Sequence, residues 1–109
     1  MNRTEENIRD YICLSRPALF FGLGAQFHNC YKQLTIALGK EPDFLCDNSP
    51  QKWGKNYYGI KCVSPSELNN FPKDALIIIT IRHYEAIYRQ LKELGFKNIF
   101  AAYFDVGYD

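Results

Sequence analysis

Ala75-Leu-Ile-Ile-Ile-Thr80 is the stretch that most narrows what this chain can fold into. Its apolar residues run without polar alternation and are mostly β-branched. A strand built from them must be covered on both faces, as in a parallel sheet with helices above and below. Ala18 to Phe21 is a second apolar run, followed by Gly22-Leu23-Gly24 and then by Phe27, Cys30, Tyr31, Leu34 and Leu38 at helical spacing up to Gly39. Strand, glycine turn and amphipathic helix follow one another there.

Asp43 to Cys46 and Ile60 to Val63 read as further strands, and Asn98 to Ala101 as the last one. Residues 48–59, NSPQKWGKNYYG, are rich in turn formers and read as a loop. Ser64-Pro65-Ser66-Glu67 predicts a helix start, with Ser64 as cap and Glu67 closing a capping box, and Pro72 keeps that helix short. Tyr84, Ile87, Tyr88, Leu91 and Leu94 form a second helical stripe ended by Gly95. Near the start, Thr4 is placed to cap a helix with Ile8, Tyr11 and Ile12 on its apolar side, stopped by Pro17.

Strands alternating with helices imply right-handed crossovers. The expected fold is therefore α/β: a Rossmann-like three-layer αβα domain with an about five-stranded parallel sheet, strand order 3-2-1-4-5, and an extra N-terminal helix. The 109 residues suit a single domain, divided as a helix over 1–16, a core over 17–101 and a tail over 102–109.

Charge and cysteine usage limit the function classes. Thirteen Lys and Arg against twelve Asp and Glu leave a net charge of +1, so neither nucleic acid nor anionic lipid is expected as a partner. The opening Met-Asn-Arg-Thr-Glu-Glu has no apolar signal core and no run is long enough to span a bilayer, so a cytoplasmic location is expected. Cys13, Cys30, Cys46 and Cys62 form no C-x-x-C pair and read as reduced, packed thiols. With only His28 and His83 besides, no metal site is expected.

In an open α/β sheet the ligand crevice lies beyond the carboxyl ends of the strands, where the strand order reverses. That rule selects Gly22 to Gln26 after the first strand, with Gly22, Gly24, Ala25 and Gln26 as candidate contacts, Asp47 and Asn48 after the second, Ser64 after the third, and Thr80 to His83 after the fourth, with Thr80 and Arg82 as candidate contacts. Gly22 suits a tight turn, Gly24 lets a phosphate approach the backbone, and the N–H groups that open the helix can hold an anion. The same turn also serves geometry alone. Phe27 stands where a full G-x-G-x-x-G motif has its third glycine, and its place on the apolar stripe sends its ring into the core, pushing the helix start outward. Asp47 is placed to accept ribose hydroxyls, or simply to open a turn with Asn48 and Pro50. Trp53 is expected to pack over the sheet edge, while Tyr57 and Tyr58 suit either packing or stacking on a base. His83 reads as a helix-start residue and His28 as solvated on the polar face.

These pieces, with D-N-x-P-x-K-x-G running from Asp47 to Gly54, Gly59-Ile60 leading to Val63, and Ser64-Pro65-Ser66-Glu67-Leu68, resemble the small Rossmann-like nucleotide-binding domain of bacterial polysaccharide-biosynthesis proteins. The resemblance is to the N-terminal domains of sugar-nucleotide acetyltransferases and dehydratases, over roughly residues 17–101. It implies a module that binds a nucleotide or nucleotide-sugar in surface-polysaccharide metabolism, with a UDP-sugar, NAD(P) or coenzyme A as ligand and catalysis located elsewhere. Gly22, Gly24, Ala25, Asp47 and Asn48 would then be its contacts. The rival expectation is an interaction or oligomerisation module with a vestigial site, acting as a homo-oligomer or with a separate catalytic partner.

Overall fold

The computed structural model describes residues 17–102. The expected N-terminal helix, Cys13 and the aromatic tail from Tyr103 lie outside the described residues. The elements in chain order are β1 (Ala18–Phe21), α1 (Ala25–Leu38), β2 (Phe44–Cys46), β3 (Asn56–Tyr57), β4 (Ile60–Val63), β5 (Leu76–Ile79), α2 (Glu85–Glu93) and β6 (Asn98–Ala101). Short 3-10 helices at Pro50–Lys52 and Pro65–Asn70 follow β2 and β4.

The sheet has six strands in the order β3-β4-β2-β1-β5-β6, not the five expected in the order 3-2-1-4-5. The departure lies in β3, which pairs antiparallel with β4 through Asn56 opposite Lys61 and Tyr57 opposite Ile60. All other pairings are parallel. Tyr58 and Gly59 turn this hairpin with φ of 56° and 78°. Positive φ at both central residues matches the right-handed twist of two paired strands, which is how a stretch read as loop becomes an edge.

The central strands obey the two-sided burial read from their composition. Along β1, Ala18 and Phe20 face the side covered by α1, where Phe27, Leu34 and Leu38 pack with Leu45 of β2 and Ile78 of β5. Leu19 and Phe21 face the other side, with Ile77 and Ile79, and are covered by Ile87 and Leu91 of α2 and by Leu68. Each buried aliphatic or aromatic side chain contributes on the order of 1.5–3 kcal/mol to holding the layers together.

The expected helix after Ser64 is a single 3-10 stretch of six residues. Glu67 Oε2 accepts the Ser64 backbone N–H at 2.9 Å, as the capping box requires. Pro72 lies too close for the turn to become an α-helix. Tyr84 and Tyr88, expected on the buried stripe of α2, are exposed, and only Ile87 and Leu91 of that stripe are fully buried. Among the described residues no helix is long and apolar enough to cross a membrane.

Candidate functional site

From β1 the chain passes through α1 to β2 on one side, and it later returns to β5 on the other side of β1. The order therefore reverses at the carboxyl ends of β1 and β5, where the Gly22-Leu23-Gly24 turn sits.

Gly22 is fixed from both flanks. Its N–H donates to the Cys46 carbonyl at 2.8 Å. Its φ is +111°, and a Cβ built on it would lie 2.3 Å from Ile81 Cγ1, so only glycine fits. Gly24 is the opposite case. A Cβ there would meet nothing within 4 Å, and φ of −88° suits any residue. Gly24 caps α1 without a side chain, and the first turn of α1 carries no acidic residue. The opening N–H groups at Ala25 and Gln26 therefore present the positive end of the helix to an exposed surface.

Asp47 directly follows β2 and is 8% exposed. Its Oδ2 accepts the Leu23 N–H at 2.7 Å, and its Oδ1 accepts the Ser49 N–H at 2.8 Å. Lys52 completes the arrangement, with Nζ 3.7 Å from Asp47 Oδ2 and donating to the Leu23 carbonyl at 3.0 Å. Burial pushes the Asp47 carboxyl up, but the hydrogen bonds from Leu23 and Ser49 and the Lys52 charge outweigh it. The group sits below the usual carboxylate range.

The other expected site residues separate. Asn48 exchanges paired amide hydrogen bonds with Gln90 of α2, both at 3.1 Å, which joins the segment after β2 to the far helix. The Thr80 hydroxyl is buried and donates toward the carbonyls of Phe21 and Gly22, tying β5 to the end of β1. Arg82 is exposed just beyond β5. His83 is exposed two residues ahead of α2. Trp53 is partly exposed and its Nε1–H donates to the Asp47 carbonyl at 2.7 Å.

Phe27 is fully buried among Phe20, Tyr31 and Tyr58. Tyr58 stacks on Tyr31 with ring centroids 4.0 Å apart, and its hydroxyl lies 3.2 Å from His28 Nδ1. Tyr57 packs against the α1-side core. His28 is thus exposed yet hydrogen-bonded. Among the described residues no three His, Cys, Asp or Glu side chains gather as metal ligands.

Sequence reasoning missed the Asp47–Leu23–Lys52 arrangement. Its trace is present as Lys52 five residues after Asp47, but the backbone partner, Leu23, lies 24 residues away and offers no side-chain signal.

No curated protein matches this sequence. Among the solved structures that share its fold are three of RSP. A complex of RSP with beta-NAD+ and operator DNA superposes with a TM-score of 0.57 at 16% identity, covering 89% of this chain and 50% of that one. A complex of RSP with beta-NADH gives 0.57 at 18% identity, covering 90% and 52%. RSP itself, a Rex-family repressor, gives 0.57 at 17% identity, covering 88% and 50%. The chain spans about half the length of these proteins.

These likenesses correct three expectations. Of the resemblance to polysaccharide-biosynthesis domains, only the nucleotide-related fold holds. A place in sugar-nucleotide metabolism is overturned, because the similar structures are of a repressor holding NAD+ or NADH, and UDP-sugars and coenzyme A lose their support as ligands. The exclusion of nucleic acid falls as well, since one of these structures is a complex with operator DNA. The physical reason is that a net charge of +1 is an average over the chain and does not set the potential of any one surface. Residues 15–99, most of the chain, match the model of one described family, and the chain belongs to that family: C2185-like, N-terminal.

Proposed function

We propose that this chain is the dinucleotide-binding module of a regulator that acts on nucleic acid, with a nicotinamide adenine dinucleotide as its signal. The observation that carries the reading is the glycine turn at the order-reversal point. Gly24 leaves open space where a pyrophosphate would approach, beside the N–H groups of Ala25 and Gln26 and with no acidic residue in the first turn. Gly22 sets the turn from beneath. Asp47 and Thr80 bond to that turn as shaping groups, and Asn48 and Arg82 would be contacting groups. The fold shared with structures holding NAD+ and NADH supports the choice of ligand. The operator complex supports a nucleic-acid partner for the protein that carries the module. Residues 17–101 would act as one unit, and the natural setting for such a regulator is the cytoplasm, where its dinucleotide is found.

Titration of the chain with NADH, followed by nicotinamide fluorescence, tests the ligand. Saturable binding below about millimolar, weakened by Gly24→Val, is the expected result. Absence of binding to both NAD+ and NADH would sink the reading. Retention of duplexes from a randomised DNA pool, with and without NADH, tests the regulatory half, with altered retention expected.

A further inference from the structure

In dinucleotide folds the acid at the end of the second strand takes the ribose hydroxyls and repels a ribose 2′-phosphate. Asp47 stands at that place, but both its oxygens are engaged within the protein. Oδ2 holds the Leu23 N–H at 2.7 Å and Oδ1 holds the Ser49 N–H at 2.8 Å. The Lys52 ammonium lies 3.7 Å from Oδ2, so the carboxylate charge is compensated where a ribose substituent would meet it. Lys52 is also anchored from the other side by the Leu23 carbonyl at 3.0 Å. Acid and lysine thereby grip both polar groups of Leu23, the middle residue of the glycine turn.

We infer that Asp47 positions the glycine turn rather than contacting ribose, and that with Lys52 beside it the site accepts a 2′-phosphorylated dinucleotide as readily as an unphosphorylated one. This inference rests on the dinucleotide reading above. A carboxylate that already accepts two backbone N–H groups, faces an ammonium and is only 8% exposed has little surface left for a bidentate diol contact. A 2′-phosphate entering there meets a neutralised pair and a lysine instead of a bare negative charge.

The test compares NAD+ with NADP+ by calorimetric titration of the chain, with Lys52→Met and Asp47→Asn beside it. Affinities within about tenfold of each other are expected for the unmodified chain. Lys52→Met leaves the carboxylate uncompensated, and should weaken NADP+ by about tenfold or more relative to NAD+, a shift in selectivity that loss of structure alone does not give. Asp47→Asn should lower Tm and weaken both ligands by a similar factor. NAD+ binding with NADP+ more than about a hundredfold weaker would overturn the inference while leaving the dinucleotide reading intact. So would an Asp47→Asn variant that loses NAD+ affinity alone at unchanged Tm. Binding of neither ligand to the unmodified chain would overturn the dinucleotide reading, and this inference with it.

Discussion

The Asp47 carboxylate accepts the backbone N–H of Leu23 at 2.7 Å, fastening the end of β2 to the middle of the glycine turn that follows β1. The bond is buried and links residues 24 apart in sequence. Removing the charge should therefore cost stability as well as affinity. Asp47→Asn is expected to lower unfolding free energy by about 2 kcal/mol, the range for a hydrogen bond to a charged group, as read by urea denaturation.

The pH dependence follows from the direction of the Asp47 shift. Its carboxyl titrates below the ordinary 3.8 in the folded protein. The charged form thus stabilises the fold above that value, and the contribution fades as pH falls through 3.8 toward the folded value. The Tm gap between the unmodified chain and Asp47→Asn should be full near about pH 6 and should narrow in this acid window. A gap that is constant through the window would contradict the role given to the carboxylate.

Two glycines in one turn should respond differently. Gly22→Ala places a methyl group 2.3 Å from Ile81 Cγ1 at a φ of +111°, and is expected to destabilise by about 2–3 kcal/mol or more. Gly24→Ala meets open space at an ordinary φ and should cost only about 1 kcal/mol, the loss of a favoured N-cap residue. Its main effect should appear as weaker NADH binding, because the new methyl occupies the approach to the helix N–H groups. Thermal unfolding and fluorescence titration of the same two variants separate these outcomes.

Restoring the third glycine of the fingerprint should harm the protein. Phe27 is fully buried and its ring lies edge-on to both Phe20 and Tyr31, so Phe27→Gly removes an aromatic core residue and adds a flexible one inside α1. A loss of about 4 kcal/mol or more is expected by chemical denaturation. A variant that kept its stability and gained NADH affinity would show that the ring obstructs the site.

The buried thiols should be inert. Cys30, Cys46 and Cys62 are free and buried. Burial first, then the Asp47 charge, pushes the Cys62 thiol up to about 11, and burial raises Cys46 and Cys30 as well. Iodoacetamide at neutral pH should leave all three unmodified in the folded chain and label them after unfolding, as peptide mass spectrometry would read.

Much of the fold was legible because periodicity survives folding. The unbroken Ala75–Ile79 run became the strand beside β1, and the stripe from Phe27 to Leu38 became the buried side of α1. The hairpin strand β3 was hidden because two residues, Asn56 and Tyr57, carry no alternation, and its turn begins with Tyr58 where Asn is usual. Within the site, the glycine turn was visible as side-chain absence. The engagement of Asp47 was not, because its partners are backbone N–H groups that every residue but proline possesses. A residue type at the right strand end indicates what a group can do, while neighbours brought in by the fold decide how much of that capacity stays available.

The short β3 hairpin has a consequence at the level of assembly. Without it, β4 would end the parallel sheet with its backbone open to another strand. Asn56 and Tyr57 pair with Lys61 and Ile60 of β4, and the stack of Tyr58 on Tyr31 pins the turn down onto α1. An edge closed by so short and tightly anchored a hairpin offers little purchase for strand addition, and guards this side of the sheet against growth into aggregates.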